Sequence, residues 1–237
     1  RAELQAKPLL ELLREVEEFA LERYSLALLK GDRLAPAERA DIARQVAAYT
    51  GTTPEFVERN NLRIALPRFT KELLRSERQT VGRLDSRYLG LDRDAGGDAF
   101  EYDPSLPAIQ EPFTAAWNAY VRTELGFRLT PDVTYEILTS LYSSWDYSDF
   151  TGKYVNVADT LRHAMSVNRH LRVHVASAYY DLATPYFATE HTLSHLGLEE
   201  GLRENITTST YESGHMMYVR LEDLARLKEA LATFIEG

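Results

Sequence analysis

Over the first third of the chain, apolar positions recur every three or four residues. Between Glu3 and Lys30 the set Leu9, Leu10, Leu12, Leu13, Val16, Phe19, Ala20 and Leu28 forms one stripe, and Gly31 follows as a stop. That pattern predicts a long amphipathic helix. Pro36, suited to a first helical turn, opens a second helix that carries Ile42, Val46 and Tyr49 to Gly51 at the C-terminal cap position. Thr52 and Glu55 have the spacing of a capping box, so a short third helix is expected through Arg59. A fourth runs from Pro67 through Phe69, Leu73 and Leu74. Helices joined by short turns form an array, the pattern of a bundle, a cap or a binding module.

After Gly82 the pattern breaks. The stretch TVGRLDSRYLGLDRDAGGDAFEYDP is rich in Gly and Asp and predicts loop with one short strand at most. Asp92, Asp94, Gly97 and Asp98 have part of a calcium-loop spacing, but Gly96 stands where a ligand is wanted and Asp103 replaces the terminal bidentate Glu. A solvated acidic loop is the expectation here. Helical spacing returns from Pro107 to Leu125 through Ile109, Phe113, Ala116, Trp117, Tyr120 and Val121, ending at Gly126. The segment Val133–Tyr154 then carries Tyr135, Tyr142, Trp145, Tyr147, Phe150 and Tyr154, aromatics that suit a core or pocket wall, or the stacking of a ligand. Val157 to Met165 reads as a helix with Arg162 and His163 facing solvent.

The last third changes period. Leu171–Ala178 is a strand-like apolar run, followed by a turn with Asp181 and a helix from Pro185 to Leu196. A second run from about Asn205 to Tyr211 leads to a turn with His215 and a helix from Leu221 to Ile235. This is the order of a parallel strand–helix–strand unit with a right-handed crossover. Ligands at such sheets bind beyond the carboxyl ends of the strands, where both Asp181 and His215 fall.

Composition narrows the reading. The 237 residues are 44% apolar, enough for one large or two small cores. A net charge of −9 without a Lys/Arg run argues against a nucleic-acid partner. No window approaches a membrane span. The chain holds no cysteine, which excludes disulfides, cysteine nucleophiles and thiolate metal sites. His191 and His195 share a helix face at i, i+4 but lack a third ligand, so they read as surface residues; His163, His170 and His174 form no motif.

An acid behind a histidine is what a hydrolytic triad requires: the acid fixes the tautomer and stabilises the imidazolium, and the histidine takes the nucleophile's proton. In α/β-hydrolases a serine precedes them on a G-x-S-x-G elbow, and none of the twelve glycines brackets a serine in that way. The same two residues could also simply cap a helix and close a turn.

The blocks VASAYYDLATPYFATEHTLSHLGL and ITTSTYESGHMMYV, with GRLDSRY and SSWDY, resemble the C-terminal portion of the serine carboxypeptidases, especially their bacterial branch, over most of residues 50 to 237. The resemblance implies an α/β fold: the C-terminal part of an α/β-hydrolase sheet, about two parallel strands with their helices, plus a helical insertion, mostly helical overall. Residues 1–105 would be the helical cap and 106–237 the core. It also implies release of C-terminal residues from peptides through a Ser–Asp–His triad without metal or organic cofactor. Asp181 would be the triad acid, His215 the general base, and Met216 a neighbour of the substrate pocket. Ala178-Tyr179-Tyr180-Asp181 and Met216-Met217-Tyr218 depart from the Gly-Asp-x-Asp and Met-Val-Pro of many members.

The nucleophile, the oxyanion hole and the groups for the substrate's terminal carboxylate would then belong to a missing N-terminal half, and the isolated chain is expected to be inactive. A non-catalytic interaction module built on a degenerate hydrolase, or another α/β-hydrolase such as an aminopeptidase or esterase, fits the same two turns. If strands are missing, the strand at Leu171–Ala178 should expose an apolar edge covered by self-association or rearrangement.

Overall fold

The computed structural model describes Leu4, residues 6–127 and residues 144–237. The described chain is mostly helical, with two sheets of two strands each. Contacts divide it into two units: residues 1–81 with 90–102, and residues 82–89 with 103–237. Segment 82–89, which the sequence reading grouped with the helical region 1–105, thus packs with the second unit.

In the first unit, helix α1 (Leu9–Glu18) continues through a π-helical stretch at Phe19–Tyr24 into α2 (Ser25–Lys30). It starts at Leu9 rather than Glu3 because Pro8, extended and without an amide hydrogen, takes the N-cap position. Helix α3 (Pro36–Thr50) ends at Gly51, whose φ of 74° is left-handed. The cap of α4 (Pro54–Arg59) is Thr53, not Thr52: the Thr53 Oγ1 accepts from the Phe56 amide at 3.2 Å, while the Thr52 hydroxyl lies 2.8 Å from that of Thr50. Phe19, Ala27, Leu34, Ile42, Ala43, Val46, Ala47, Val57 and Leu62 form the core, joined by Tyr24 and Tyr49 around Phe19. Each large aliphatic side chain buried there contributes about 1.5–3 kcal/mol.

Helix α5 (Leu66–Glu72) precedes β1 (Gln79–Val81), which pairs with β2 (Leu89–Leu91). The acidic loop that follows is built around an internal cation. Lys71 Nζ lies 2.6 Å from Asp92 Oδ2 and donates to the Asp94 carbonyl at 2.6 Å, with the two side chains of the pair only 3% and 4% exposed. Asp92 Oδ1 takes the amides of Arg93 and Glu101. A lysine ammonium therefore answers Asp92, which is buried rather than solvated as the loop's composition suggests.

In the second unit, α6 (Ser105–Thr123) begins two residues before and ends two residues short of the helix expected from Pro107 to Leu125. Of the aromatic segment, Tyr135 and Tyr142 lie outside the described residues, and Trp145, Tyr147 and Tyr154 are exposed. Helix α7 (Ala158–Val167) leads into β3 (Val173–Ala178), α8 (Tyr186–Ser194), the short α9 (Glu200–Arg203), β4 (Ile206–Tyr211) and α10 (Leu221–Glu236). Strands β3 and β4 are parallel, in register from Val173 opposite Ile206 to Ala178 opposite Tyr211. Met165, Leu196, Leu198 and Leu202 form a core beneath them, with Leu171, Val173 and Ile206 packed against it. Among the described residues β3 pairs with β4 alone. The ladder bond from the Val173 amide to the Asn205 carbonyl sets the alternation, so the amides of His174 and Ala176 point away from β4.

Candidate functional site

The carboxyl ends of β3 and β4 lie side by side because Ala178 and Tyr211 are register partners. The chain leaves each strand in a turn, and the two turns hold Asp181 and His215. His215 Nδ1 is 2.8 Å from Asp181 Oδ2. A carboxylate only accepts, so Nδ1 carries the proton and donates it. The Asp181 side chain is 5% exposed and that of His215 44%. Nε2 has no hydrogen-bond partner among the described residues.

Asp181 divides its oxygens. Oδ1 accepts the amides of Ala183 at 2.8 Å and Thr184 at 3.0 Å, which fixes the turn into α8. Oδ2 takes the Thr184 hydroxyl at 2.6 Å together with the imidazole. Burial raises the Asp181 pKa, but the hydrogen bonds from His215 and Thr184 outweigh it, and the carboxyl is held below its ordinary value. The hydrogen bond to Asp181 raises the His215 pKa; burial and the charge of Arg83 oppose this without cancelling it. An imidazole so held, partly exposed and with its Nε2 lone pair unbonded among the described residues, can accept a proton from a nucleophile or a water.

A third segment, 82–89, expected only to be loop and part of the GRLDSRY likeness, locks these two turns. The Leu84 carbonyl accepts the His215 amide at 2.7 Å, and the Arg83 carbonyl accepts the Leu182 amide at 3.1 Å. The Ser86 amide donates to the Tyr180 carbonyl at 3.0 Å. Arg87 grips Asp85, with Nε 3.0 Å from Oδ1 and Nη2 2.7 Å from Oδ2, and its Nη1 donates to the Glu212 carbonyl at 2.8 Å. The guanidinium also lies 4.6 Å from the centre of the Tyr180 ring. Gly214 is needed for this packing: a Cβ there would come within 2.4 Å of both the Leu84 carbonyl oxygen and the Asp85 Cβ. A signal was available in D-x-R within a Gly-led loop, since Asp85 Oδ1 also accepts the Arg87 amide at 3.0 Å, a local turn that Asp favours. Thr184 carried no such signal.

Met216 is half-buried beside His215 and precedes a 3-10 turn at Met217–Val219. His174 bridges the strands, with Nδ1 2.8 Å from Thr207 Oγ1 and Nε2 3.0 Å from Ser209 Oγ. His191 and His195 are exposed and stacked, ring centres 4.0 Å apart, and His195 Nδ1 lies 2.7 Å from the His191 carbonyl oxygen. His163 and His170 are exposed. In the first unit, Phe56, Arg59, Asn60, Arg68, Glu72 and Arg75 line a cavity of about 450 Å³.

No protein-family model, curated protein or solved structure matches this chain. Among the described residues no helix is long and apolar enough to cross a membrane.

Proposed function

We propose that this chain is the C-terminal part of a serine carboxypeptidase of α/β-hydrolase fold, with Asp181 as the triad acid and His215 as the general base. The observation that carries the reading is the 2.8 Å bond from a half-exposed imidazole to a buried carboxylate beyond the carboxyl ends of two adjacent parallel strands. The serine lies outside these 237 residues and loses its proton to Nε2 as it attacks the peptide carbonyl. Asp181 holds the Nδ1–H tautomer through that step and stabilises the imidazolium, which then protonates the leaving amine. The likeness of both blocks to the carboxypeptidases favours a peptide with a free terminal carboxylate.

The test is hydrolysis of free-acid and amidated peptides by the protein that carries this chain together with its upstream serine. His215→Ala should lower kcat by about 10⁴-fold or more, and amidation of the peptide should abolish cleavage. Equal rates for wild type and variant would remove His215 from the mechanism. Cleavage of amidated or blocked peptides would instead indicate an aminopeptidase or esterase. The cavity with Arg59, Arg68 and Arg75 favours a second reading, a binding module without catalysis; under it, anionic ligands bind the chain and His215→Ala changes nothing.

A further inference from the structure

The His215 turn has little scaffold of its own. It lies past the end of β4, has Gly214 before it, and is followed by a 3-10 turn before α10 begins at Leu221. The Tyr180 amide donates to the Ser213 carbonyl at 3.1 Å and Arg220 Nη1 to the Glu212 carbonyl at 3.2 Å, and further ties come from segment 82–89. Four hydrogen bonds run from this segment to the backbone of Tyr180, Leu182, Glu212 and His215, the residues that flank or include the acid and the base. Two fall on the Asp181 turn and two on the His215 turn, so one stretch of chain spans the pair and fixes its separation.

Within the segment the fixed point is the Arg87–Asp85 pair. Asp85 is 5% exposed, its Cβ packs on the Gly214 backbone, and both of its oxygens are held by Arg87, whose remaining arm reaches the Glu212 carbonyl. A planar, two-point contact of this kind fixes direction as well as distance, which a lysine cannot reproduce. We propose that Arg87 is a positioning residue for the Asp181–His215 pair, acting through Asp85 and the Glu212 carbonyl to set where the imidazole sits against its carboxylate. This rests on reading the pair as the working part of the site. Misplacement of such a group by about 1 Å is enough to cost on the order of 10²-fold in rate.

The experiment uses the full 237-residue chain and reads geometry rather than turnover. Arg87→Met keeps a stem over Tyr180 and removes both grips; Arg87→Lys keeps the charge and loses the two-point contact. Imidazole NMR is recorded for each, following the Nδ1 proton of His215 and the pH midpoint of its titration, alongside thermal unfolding. The expected result is a folded chain in which exchange of the Nδ1 proton with water is faster by about tenfold in Met and less in Lys, with the midpoint falling toward the ordinary histidine value in the same order. An unchanged proton signal and midpoint in a variant whose melting temperature has dropped would overturn the proposal, because Arg87 would then serve stability alone. Loss of the fold in both variants would overturn it too, since it would make Arg87 a residue of the core. Neither result bears on hydrolysis by wild type and His215→Ala, so the catalytic reading stands or falls separately.

Discussion

Asp181 serves two masters with two oxygens, and each job makes a separate demand. The turn into α8 needs only an acceptor at Oδ1, which asparagine also supplies; the imidazole needs an acceptor at Oδ2, which asparagine can place there only by turning its amide nitrogen toward Ala183 and Thr184. The ionisation of the pair then sets its pH dependence. The bond to Asp181 holds the His215 pKa above its ordinary value of 6.5, so its contribution to stability is complete below that value and is lost as pH rises through the folded one. Asp181 is depressed below 3.8, so its contribution is present above that value and is lost as pH falls through the folded one. The two overlap from about pH 4 to 6.5. We therefore expect the difference in denaturant midpoint between wild type and His215→Gln to be largest near pH ~5.5 and to narrow toward pH ~8.

At the scale of elements, the strand–helix–strand unit was legible in the sequence because its strands are apolar and β-branched runs bounded by turn residues, with Pro185 opening the helix between them. Val173–Ala178 and Ile206–Tyr211 fall inside the expected runs, and the helices at Tyr186–Ser194 and Leu221–Glu236 follow. Asp181 and His215 were legible as strand-end residues for the same reason. Segment 82–89 was not, because what organises it is hydrogen bonding to turns remote in sequence, such as Arg87 to Glu212, and no local pattern encodes those partners. The loop at Asp92 is expected from its composition to be solvated, yet Asp92 is buried against Lys71, which lies on α5, too far along the chain for the local pattern to show the pairing. Removing that side chain leaves Asp92 buried without its partner. Lys71→Met should destabilise the first unit by roughly 3 kcal/mol, read from its denaturant midpoint, and Lys71→Met with Asp92→Asn should recover much of the loss, because the neutral amide still offers an oxygen to the Arg93 and Glu101 amides.

Taken as a whole, the molecule presents one strand that is apolar yet only partly covered. Apart from Ala178, every residue of β3 is partly exposed, and the amides of His174 and Ala176 point away from its only partner among the described residues. Such an edge is a template for another strand. We expect concentration-dependent self-association of the chain in sedimentation, and its loss with Ala176→Pro, which removes one outward amide without altering the bonds to β4. A monodisperse monomer at all concentrations would contradict this.

The separations along the chain add a consequence for how the site is made. Asp181 and His215 are 34 residues apart, whereas Arg87 and Glu212 are 125 apart. Acid and base can meet as soon as one strand–helix–strand unit closes, but the clamp must close a far larger loop and carries a higher entropic cost. In refolding, then, the pair would form early and loosely, and acquire its final geometry only when segment 82–89 docks.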